Sequence, residues 1–577
     1  MSLWSKIKKA VSKVVKSAID TLGDSLDDIK TAFTDLAGDI EDVAESIVKL
    51  GYTDKQFGSG NDNYTSSSLG ANILKGGGGN DTLKVTLGAY NTIKGEDGDD
   101  TLSISVGGYN KISGGNGNDT ISVSAGIYNT LSGDDGDDSI TVGAGAAATV
   151  DGGNGNDKIS VGLGGYVVVS DSSGNNTITY NAGSGKVTTG GGNDKISGAG
   201  FSNSISSGDG DDTVNMTGGK NTIDAGSGHN SVTAYGGYNK VTTTSGNDTI
   251  EAGGGYNTVS AGDGNNKVTA YGGYSTITTG SGSDTISAAS GSNTISAGNG
   301  DNSVSAVGGY NKITTGTGKD TISADGAYNT VSTSDGDDTI TVYAAANTIT
   351  TGTGNDKVTA TSASNTIKTE DGDDTVTVTG ASNNINTGSG NDTIIANAAS
   401  NIIVADSGNN SITANAAYNN ISAASGNDSV NTTGGYNTIS IGDGNNSVSA
   451  YGGYNVVTTG VGADTIKTYG GANKITASDG VNTIVAEGGA NTVTGGSGID
   501  TVTVAGAANK VTTYDGSDSI TANGASNVIS AGSGDNTITA NAAYNNISAD
   551  GGNDTVSAVG GYNTISIGDG NNSVSAY

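Results

Sequence analysis

One short motif recurs at a fixed spacing along nearly the whole chain. Glycine followed two residues later by Asp or Asn occurs in GSGND at Asp62, in GGGND at Asp81 and in GEDGDD at Asp100, with nineteen residues from one to the next. From Asn176 onward the step is eighteen residues and never slips, which makes 29 copies in all. We call these Asp and Asn positions the corner residues, and an aliphatic residue such as Leu83 follows nearly every one by two places. A repeat held in register over this length predicts a stack of similar supersecondary units.

Each repeat divides into two halves of similar design. From Asp194 onward a second polar position, usually Asn as at Asn203, lies nine residues after each corner residue and is again followed by an aliphatic residue. Alternation around the aliphatic position is typical of a short strand with one buried face, and the absence of proline suits a backbone that donates to its neighbours throughout. The sequence therefore predicts an all-β parallel β-solenoid, or β-roll, over residues 51–577, with about 29 coils of 18–19 residues and two strands per coil.

The turn GxGxD followed by x-aliphatic-x resembles the RTX (hemolysin-type) calcium-binding nonapeptide repeat, and the resemblance extends from Gly58 to Tyr577. It implies Ca²⁺ as the cofactor, in multiple ions that form one row along one edge, each between adjacent coils and bound by Asp carboxylates. Glycines expose carbonyl oxygens in such turns, and calcium prefers several oxygen ligands. The alternative is that Asp and Asn are ordinary turn residues and that the acid confers solubility. The ligands that the resemblance implies are Asp62, Asp81, Asp100, Asp119, Asp138, Asp157, Asp194, Asp212, Asp248, Asp284, Asp320, Asp338, Asp356, Asp374, Asp392, Asp428, Asp464, Asp500, Asp518 and Asp554.

Nine corner residues are Asn, and no two of them are neighbours in the series. Every gap between coils therefore keeps at least one Asp, which favours a row of ions that each need one carboxylate. Because ligand charge tunes calcium affinity, we expect weaker binding where Asn replaces Asp. Without ions the stacked carboxylates would repel one another, so we expect folding to depend on calcium. The nine are Asn176, Asn230, Asn266, Asn302, Asn410, Asn446, Asn482, Asn536 and Asn572.

The second turn of each coil departs from the RTX pattern, because Asn stands in place of Asp and Tyr often precedes it, as at Tyr238 and Tyr256. Too few carboxylates remain there for calcium, so we expect a ladder of stacked Asn amides. Two interpretations of the tyrosines stay open: a lateral contact strip for another copy or a carbohydrate, or rings that cover neighbouring glycines. Thr residues after the corner residues, such as Thr82 and Thr101, form an outward row that resembles the ice-binding faces of some β-solenoids, and ordinary β-propensity is the alternative.

Residues 1–50 form a region of a different kind. Apolar residues three and four apart, as at Trp4, Ile7, Val11 and Val14, predict a short amphipathic α-helical region before the solenoid. Lysines are concentrated in its first part, so one role is an anchor on an anionic surface. The other role is a cap over the open end of the first coil.

Composition excludes several classes of protein. The chain has no Cys and one His, which argues against disulfides, thiolate metal sites and multi-His centres. Its net charge of −33 argues against nucleic acid as a partner, and no apolar run is long enough for a transmembrane segment. Acids and hydroxyls are spread along the repeats rather than gathered at one place, so we expect no enzyme.

These observations favour an extracellular, calcium-stabilised structural protein. We expect a subunit of a surface layer, sheath, matrix fibre or filament that self-associates into a filament or lattice. The resemblance implies an extracellular or bacterial cell-surface location and type I secretion. The alternative is an adhesin stalk or an ice- or glycan-binding solenoid, and further partners would be a cell-surface glycan or an anionic surface contacted by the N-terminal helix.

Overall fold

The computed structural model describes residues 51–577, and these residues form strands and turns without a helix. They divide into two compact units, of which the first ends at Gly298 and the second extends from Asn299 to Tyr577. The amphipathic helix predicted for residues 1–50 lies outside the described residues. Across 51–577 the search for a helix long and apolar enough to cross a membrane finds none.

The first unit contains fifteen strands. From β4 to β15 each strand pairs in parallel with the next, so that every residue lies opposite its equivalent one repeat later, as Leu83 lies opposite Leu102. The strands are β1 (Tyr52–Gln56), β2 (Asn63–Ser66), β3 (Ala71–Gly78), β4 (Thr82–Asp97), β5 (Thr101–Asn116), β6 (Thr120–Asp135), β7 (Ser139–Asn154), β8 (Lys158–Ser170), β9 (Thr177–Thr188), β10 (Lys195–Ser206), β11 (Thr213–Asp224), β12 (Ser231–Thr242), β13 (Thr249–Ala261), β14 (Lys267–Thr279) and β15 (Thr285–Ala297).

The second unit continues the same parallel pairing, with Ile340 opposite Val358 and Val448 opposite Ile466. The prediction of a parallel β-solenoid with about 29 turns is therefore confirmed in both units. Its strands are β16 (Ser303–Thr315), β17 (Thr321–Ser332), β18 (Thr339–Tyr343), β19 (Ala346–Thr350), β20 (Lys357–Thr361), β21 (Ser364–Lys368), β22 (Thr375–Thr379), β23 (Ser382–Asn386), β24 (Thr393–Asn397), β25 (Ser400–Ala405), β26 (Ser411–Asn415), β27 (Tyr418–Ala423), β28 (Ser429–Ile441), β29 (Ser447–Thr458), β30 (Thr465–Thr476), β31 (Thr483–Thr494), β32 (Thr501–Thr512), β33 (Ser519–Ala531), β34 (Thr537–Asn541), β35 (Tyr544–Ala549), β36 (Thr555–Val559), β37 (Tyr562–Ile567) and β38 (Ser573–Ala576).

The prediction of two strands per coil is correct only for some coils. The second turn of each coil contains the Asn position, and we call it the Asn-side turn. Each coil from β18 to β27 has two short strands, whereas in the first unit from β4 onward one strand runs through the whole Asn-side turn. The reason is that the backbone of that turn stays paired with the next coil, as where Gly218 lies opposite Gly236.

The core of each unit is narrow and consists mainly of two rows of aliphatic side chains. Ile121 and Ile140 belong to the row that follows the corner residues, Ile112 and Leu131 belong to the row that follows the Asn-side turn, and all four are at most 1% exposed. The parallel, in-register pairing places each side chain directly above its equivalent, so every coil buries apolar surface against both neighbours.

The repeat shortens from nineteen to eighteen residues between β8 and β9, where the pairing register shifts at Val161 and Leu163. The Asn-side turn of the shorter repeat therefore has one residue fewer. The corner turns keep their length, because single bridges continue from Asn154 through Ser173 to Gly191 without a shift. Positions counted back from a corner residue are therefore equivalent in all coils.

Candidate metal centre

The corner residues form a ladder from side chain to backbone. Oδ1 of each corner residue accepts the backbone N–H of the corner residue one coil earlier: the N–H of Asp81 donates to Asp100 at 2.7 Å and that of Asp157 to Asn176 at 2.8 Å. Aspartate and asparagine offer the same Oδ1 acceptor, which explains why they exchange at this position. The Asp corner residues are at most 2% exposed, except Asp62, which is half-buried. The structure thus brings the predicted residues together in one buried row.

The second carboxylate oxygen, Oδ2, is buried and receives no hydrogen bond of acceptable geometry. Within residues 51–577 the one ion pair joins Lys368 to Glu370, so no lysine there neutralises this row. A buried carboxylate without a partner is costly and calls for a proton, a donor or a cation. The Oδ2 atoms concerned belong to Asp81, Asp100, Asp119, Asp138, Asp157, Asp194, Asp212, Asp248, Asp320, Asp338, Asp356, Asp374, Asp392, Asp428, Asp464, Asp500, Asp518 and Asp554.

Five residues before each corner residue lies a position that faces Oδ2, and we call it the cradle residue. In the coils with nineteen-residue repeats it is glycine, and a Cβ on Gly95 would overlap both Oδ2 of Asp100 and the carbonyl oxygen of Gly114 in the next coil. The same two kinds of oxygen surround Gly76, Gly114 and Gly133. A carboxylate oxygen and a carbonyl oxygen therefore converge at these four glycine cradles, and any side chain there would displace them.

The residue after the glycine cradle has a backbone conformation that L-residues rarely adopt. Its φ is positive in all five of these turns, at Gly77, Glu96, Gly115, Asp134 and Gly153. Among the described eighteen-residue turns, only four have a positive φ at the equivalent position. Holding Glu96 and Asp134 at φ of 80° and 73° costs backbone energy, so the nineteen-residue turns share a distinct, partly strained geometry.

Burial changes the acidity of these carboxyl groups. Desolvation raises the pKa of Asp100 to about 6 and the pKa values of Asp119 and Asp138 to about 7, and the neighbouring carboxylates raise them further against the lowering by the backbone N–H. Burial raises the pKa of Asp171 to about 8, helped by the adjacent charge of Asp157. These groups hold a proton more tightly than an ordinary Asp, and a bound cation would have the opposite effect on their pKa.

In most eighteen-residue coils with Asp at the corner, the cradle residue is Thr or Ser. The hydroxyl of Thr351 donates to the carbonyl oxygen of Thr369 at 3.0 Å and also lies beside the Asp356 carboxylate, whose pKa it lowers against the larger effect of burial. The hydroxyl of Thr189 donates to the Ser207 carbonyl at 2.8 Å in the same way. The hydroxyl's approach to the carboxylate falls short of full hydrogen-bond geometry, and in eight other turns, such as those of Thr243 and Thr315, the cradle hydroxyl makes no hydrogen bond of full geometry to either oxygen.

Where the corner residue is Asn, its amide satisfies the turn directly. Nδ2 of Asn266 donates to the carbonyl oxygens of Gly262 and Gly264 at 2.9 and 3.0 Å, and Nδ2 of Asn536 bonds the carbonyls of Gly532 and Gly534 equivalently. Apart from the turn of Asn176, which contains Asp171, these turns have no buried unpaired charge, and this explains why Asn is tolerated at the corner.

A second, outer ladder was not expected from the sequence. It uses the residue before each corner residue and has the opposite polarity: the N–H of Asn118 donates to Oδ1 of Asp99 at 2.8 Å, one coil earlier. His229 belongs to this ladder, since its Nδ1 accepts the N–H of Asn247 at 2.8 Å. The signal that could have revealed it is the frequency of Asn and Asp at this exposed position.

The predicted Asn ladder on the other edge is confirmed. Nδ2 of Asn365 donates to Oδ1 of Asn383 at 2.8 Å, and Asn383 donates to Asn401 at 2.9 Å. The ladder also begins earlier than predicted, with Asn72 donating to Asn91 at 2.8 Å. Outside it, tyrosine rings stack between coils, with centroids 5.0–5.4 Å apart in the parallel pairs such as Tyr90–Tyr109, Tyr256–Tyr274 and Tyr418–Tyr436.

The residues of the corner row fit calcium by the chemistry of their donors. Buried unpartnered Oδ2 atoms and converging carbonyl oxygens are hard oxygen ligands of the kind that calcium prefers. Among residues 51–577 no group of three acidic or His side chains lies close enough to hold a metal ion, so backbone carbonyls must supply part of any ligand set. Asp62 departs from the row, because Phe57 occupies its cradle position.

Comparison with known proteins agrees with this geometry. The sequence profile of the RTX calcium-binding nonapeptide repeat, which describes four copies, matches in sixteen segments that together extend from residue 57 to residue 565. The longest gap between matched segments, residues 147–187, contains the change of repeat length. A search of curated proteins gave no match. Because the matched segments cover most of the chain and their turns form the ladder of buried carboxylates, this protein belongs to the RTX calcium-binding repeat family.

Proposed function

We propose that this protein is an extracellular structural protein whose β-solenoid is stabilised by calcium along the corner row. The observation that carries the proposal is the series of buried Oδ2 atoms that lack a donor in turns of a calcium-binding repeat. Calcium in that row would neutralise charge that no lysine side chain of residues 51–577 reaches, and binding to the folded form alone stabilises it. RTX repeat proteins are typically secreted, which supports the extracellular location and export by type I secretion.

The role that we infer is that of a subunit of a surface layer, sheath, matrix fibre or filament. Three features support it: the repeats occupy almost the whole chain, the described surface is ordered by ladders rather than by a pocket, and rows of stacked rings offer a repeating contact surface. Such rows suit self-association, because consecutive coils within a row present the same ring chemistry. The proposal assigns no catalytic role to any residue.

The first test is direct measurement of calcium binding by isothermal titration calorimetry on the full-length chain. We expect saturable binding of more than one ion, and the heat should disappear when a chelator is present. Electron microscopy of the same sample then tests assembly, with filaments or lattices expected in calcium. A chain that binds no calcium would refute the stabilising role, whereas a chain that binds calcium and stays dispersed would refute the assembly role alone.

A second candidate function is an adhesin stalk or a glycan-binding solenoid. The exposure of the tyrosine rows favours it, since Tyr256, Tyr310 and Tyr418 are each more than half exposed. Exposed ring faces at regular spacing can stack against sugar rings. A glycan array with the full-length chain and a variant that carries Ser at these three positions would separate this role from self-association.

A further inference from the structure

The identity of the cradle residue varies with the identity of the corner residue. Of the twenty Asp corner residues, six have a glycine cradle and eleven have Thr or Ser, whereas eight of the nine Asn corner residues have Ala or Ile. The two positions are five residues apart on opposite sides of one buried point, so the pairing reflects a local chemical requirement rather than composition. The carboxylate of a corner Asp requires a polar partner or a cation at the cradle. The amide of a corner Asn requires none, because it donates to carbonyl oxygens of its own turn.

In the hydroxyl turns a Thr or Ser side chain fills the cradle and places its hydroxyl beside the carboxylate, while Oδ2 itself still accepts no hydrogen bond of full geometry. The hydroxyl of Thr351 contacts the carbonyl oxygen of the next cradle residue, Thr369, and lies beside the carboxylate of its own corner residue, Asp356. In the glycine turns the corresponding two oxygens, for example Oδ2 of Asp100 and the carbonyl of Gly114, face the same place with no hydrogen between them. The Thr hydroxyl therefore lies near the two oxygens between which a cation could bind in the glycine turn.

The eighteen-residue Asp turns without a hydroxyl have a different protein donor. They are the turns of Asp428, Asp500 and Asp554, and in each the Asn corner residue of the preceding coil donates its amide to Oδ1 at 3.0 Å. Asp500 has a glycine cradle, yet the methyl group of Thr513 approaches that cradle where the nineteen-residue turns have a carbonyl oxygen. Every Asp corner residue of the eighteen-residue coils thus has a hydroxyl or an amide beside its carboxylate, and in these three turns the amide meets Oδ1 while Oδ2 accepts no hydrogen bond.

We propose that calcium binding is confined to the nineteen-residue coils, at Asp81, Asp100, Asp119, Asp138 and Asp157, and that the eighteen-residue coils are held together by hydroxyl and amide donors without an ion. This inference rests on the proposed function, since it divides the corner row that the proposed function assigns to calcium. The distinct positive φ after each glycine cradle, from Gly77 to Gly153, is a second property that these five turns share.

The last site of the series has two carboxylates. Asp171 is the cradle residue of Asn176, and its Oδ2 converges with Oδ2 of Asp157 on the cradle of Gly152, where the earlier coils offer a carbonyl oxygen. Both oxygens are buried and unpartnered, and both side chains are at most 6% exposed. Because ligand charge raises calcium affinity, this site at the change of repeat length binds calcium most tightly of the five.

Hydrogen exchange of the full-length wild-type chain, measured by mass spectrometry with calcium and with a chelator, tests whether calcium binds only the nineteen-residue coils. This experiment needs no amino-acid substitution. We expect chelation to increase exchange in peptides from β4 to β7 and to leave peptides from β18 to β25 unchanged. Increased exchange in both regions would overturn this inference and leave the proposed function standing. If the chain binds no calcium and exchange changes nowhere, both are refuted.

A matched pair of variants gives an independent readout. Asp119→Asn lies in a glycine turn and Asp356→Asn in a hydroxyl turn, and both keep the Oδ1 that accepts the N–H of the preceding corner residue, Asp100 or Asp338. We expect Asp119→Asn to lower the number of calcium ions bound, as counted by native mass spectrometry, and Asp356→Asn to leave it unchanged. An equal loss in the two variants would overturn the inference.

Discussion

The two carboxylate oxygens of each buried corner Asp have different roles. Oδ1 of Asp138 accepts the N–H of Asp119 at 2.6 Å, so it belongs to the backbone ladder whether or not an ion is bound. Oδ2 of the same residue is buried and lacks a donor. The first oxygen fixes the side chain, and the second carries the charge that must be neutralised. Stability at this residue therefore depends on pH and on calcium together.

The pH dependence without calcium has a definite sign. In the folded chain the pKa values of Asp119 and Asp138 are raised to about 7, so the folded form binds more protons than the unfolded form between about pH 4 and pH 7. In chelator, stability is therefore greatest at the acidic end of this range and is lost as pH rises toward 7. Thermal unfolding in chelator at several pH values checks this, and a melting temperature that rises with pH across the range would contradict it.

Removing the charge of one corner residue should have opposite effects in the two conditions. In Asp119→Asn the amide can donate to the Gly117 carbonyl, as Asn266 does to Gly264, and a buried unpaired charge disappears. We expect about 1–3 kcal/mol of stabilisation in chelator and a loss of calcium-induced stabilisation. Denaturant unfolding in both conditions measures the effect, and Thr120→Ser at the exposed position after the corner residue is the control. Destabilisation of Asp119→Asn in chelator would count against an unneutralised carboxylate.

At the scale of the strand, the Asn ladder joins coils along the edge opposite the corner row. Asn383 in β23 accepts from Asn365 at 2.8 Å and donates to Asn401 at 2.9 Å, and it is fully buried. Removing its amide leaves an unsatisfied donor on one neighbour and an unsatisfied acceptor on the other. The ladder is therefore expected to contribute more per residue than an exposed Asn.

Asn383→Ala tests this contribution against a neighbour in the same strand. We expect a loss of about 2–4 kcal/mol, since each stranded buried group costs about 1–3 kcal/mol. Asn384→Ala is the matched control, because Asn384 is the next residue and is exposed, and its effect should stay within about 0.5 kcal/mol. Equal effects in chemical denaturation would show that the buried amides add nothing to pairing.

The strands and the corner row were predictable because period and spacing fix them. Parallel pairing in register follows from a repeat that never slips, and the Asn ladder follows from Asn at one position of each coil. The hydroxyl cradles were missed, although the signal was present: Thr243 precedes Asp248 by five residues and Ala225 precedes Asn230 by the same number. A repeat alone does not say which turn positions face each other inside the coil, so this covariation had no meaning until the fold placed both at one point.

At the scale of the whole molecule, one family of repeats contains two ways of neutralising a buried acid. The coils up to Asp157 combine nineteen-residue repeats, glycine cradles and positive φ, and the coils from Asp194 combine eighteen-residue repeats with hydroxyl or amide donors. The change of length, the acidic pair of Asp157 and Asp171 and the stretch outside the family profile all lie in residues 147–187. We therefore infer that calcium acts on a defined part of the chain rather than on all of it.

Thermal unfolding of the full-length chain at neutral pH, with calcium and with an excess of chelator, tests the requirement for a cation in the buried acidic row most directly. We expect two unfolding transitions. The smaller one, from the nineteen-residue coils, should shift to lower temperature on chelation and return to its original temperature when calcium is added back. The larger transition should stay in place. Superimposable curves in the two conditions would contradict the account, because the unpartnered carboxylates would then need no ion.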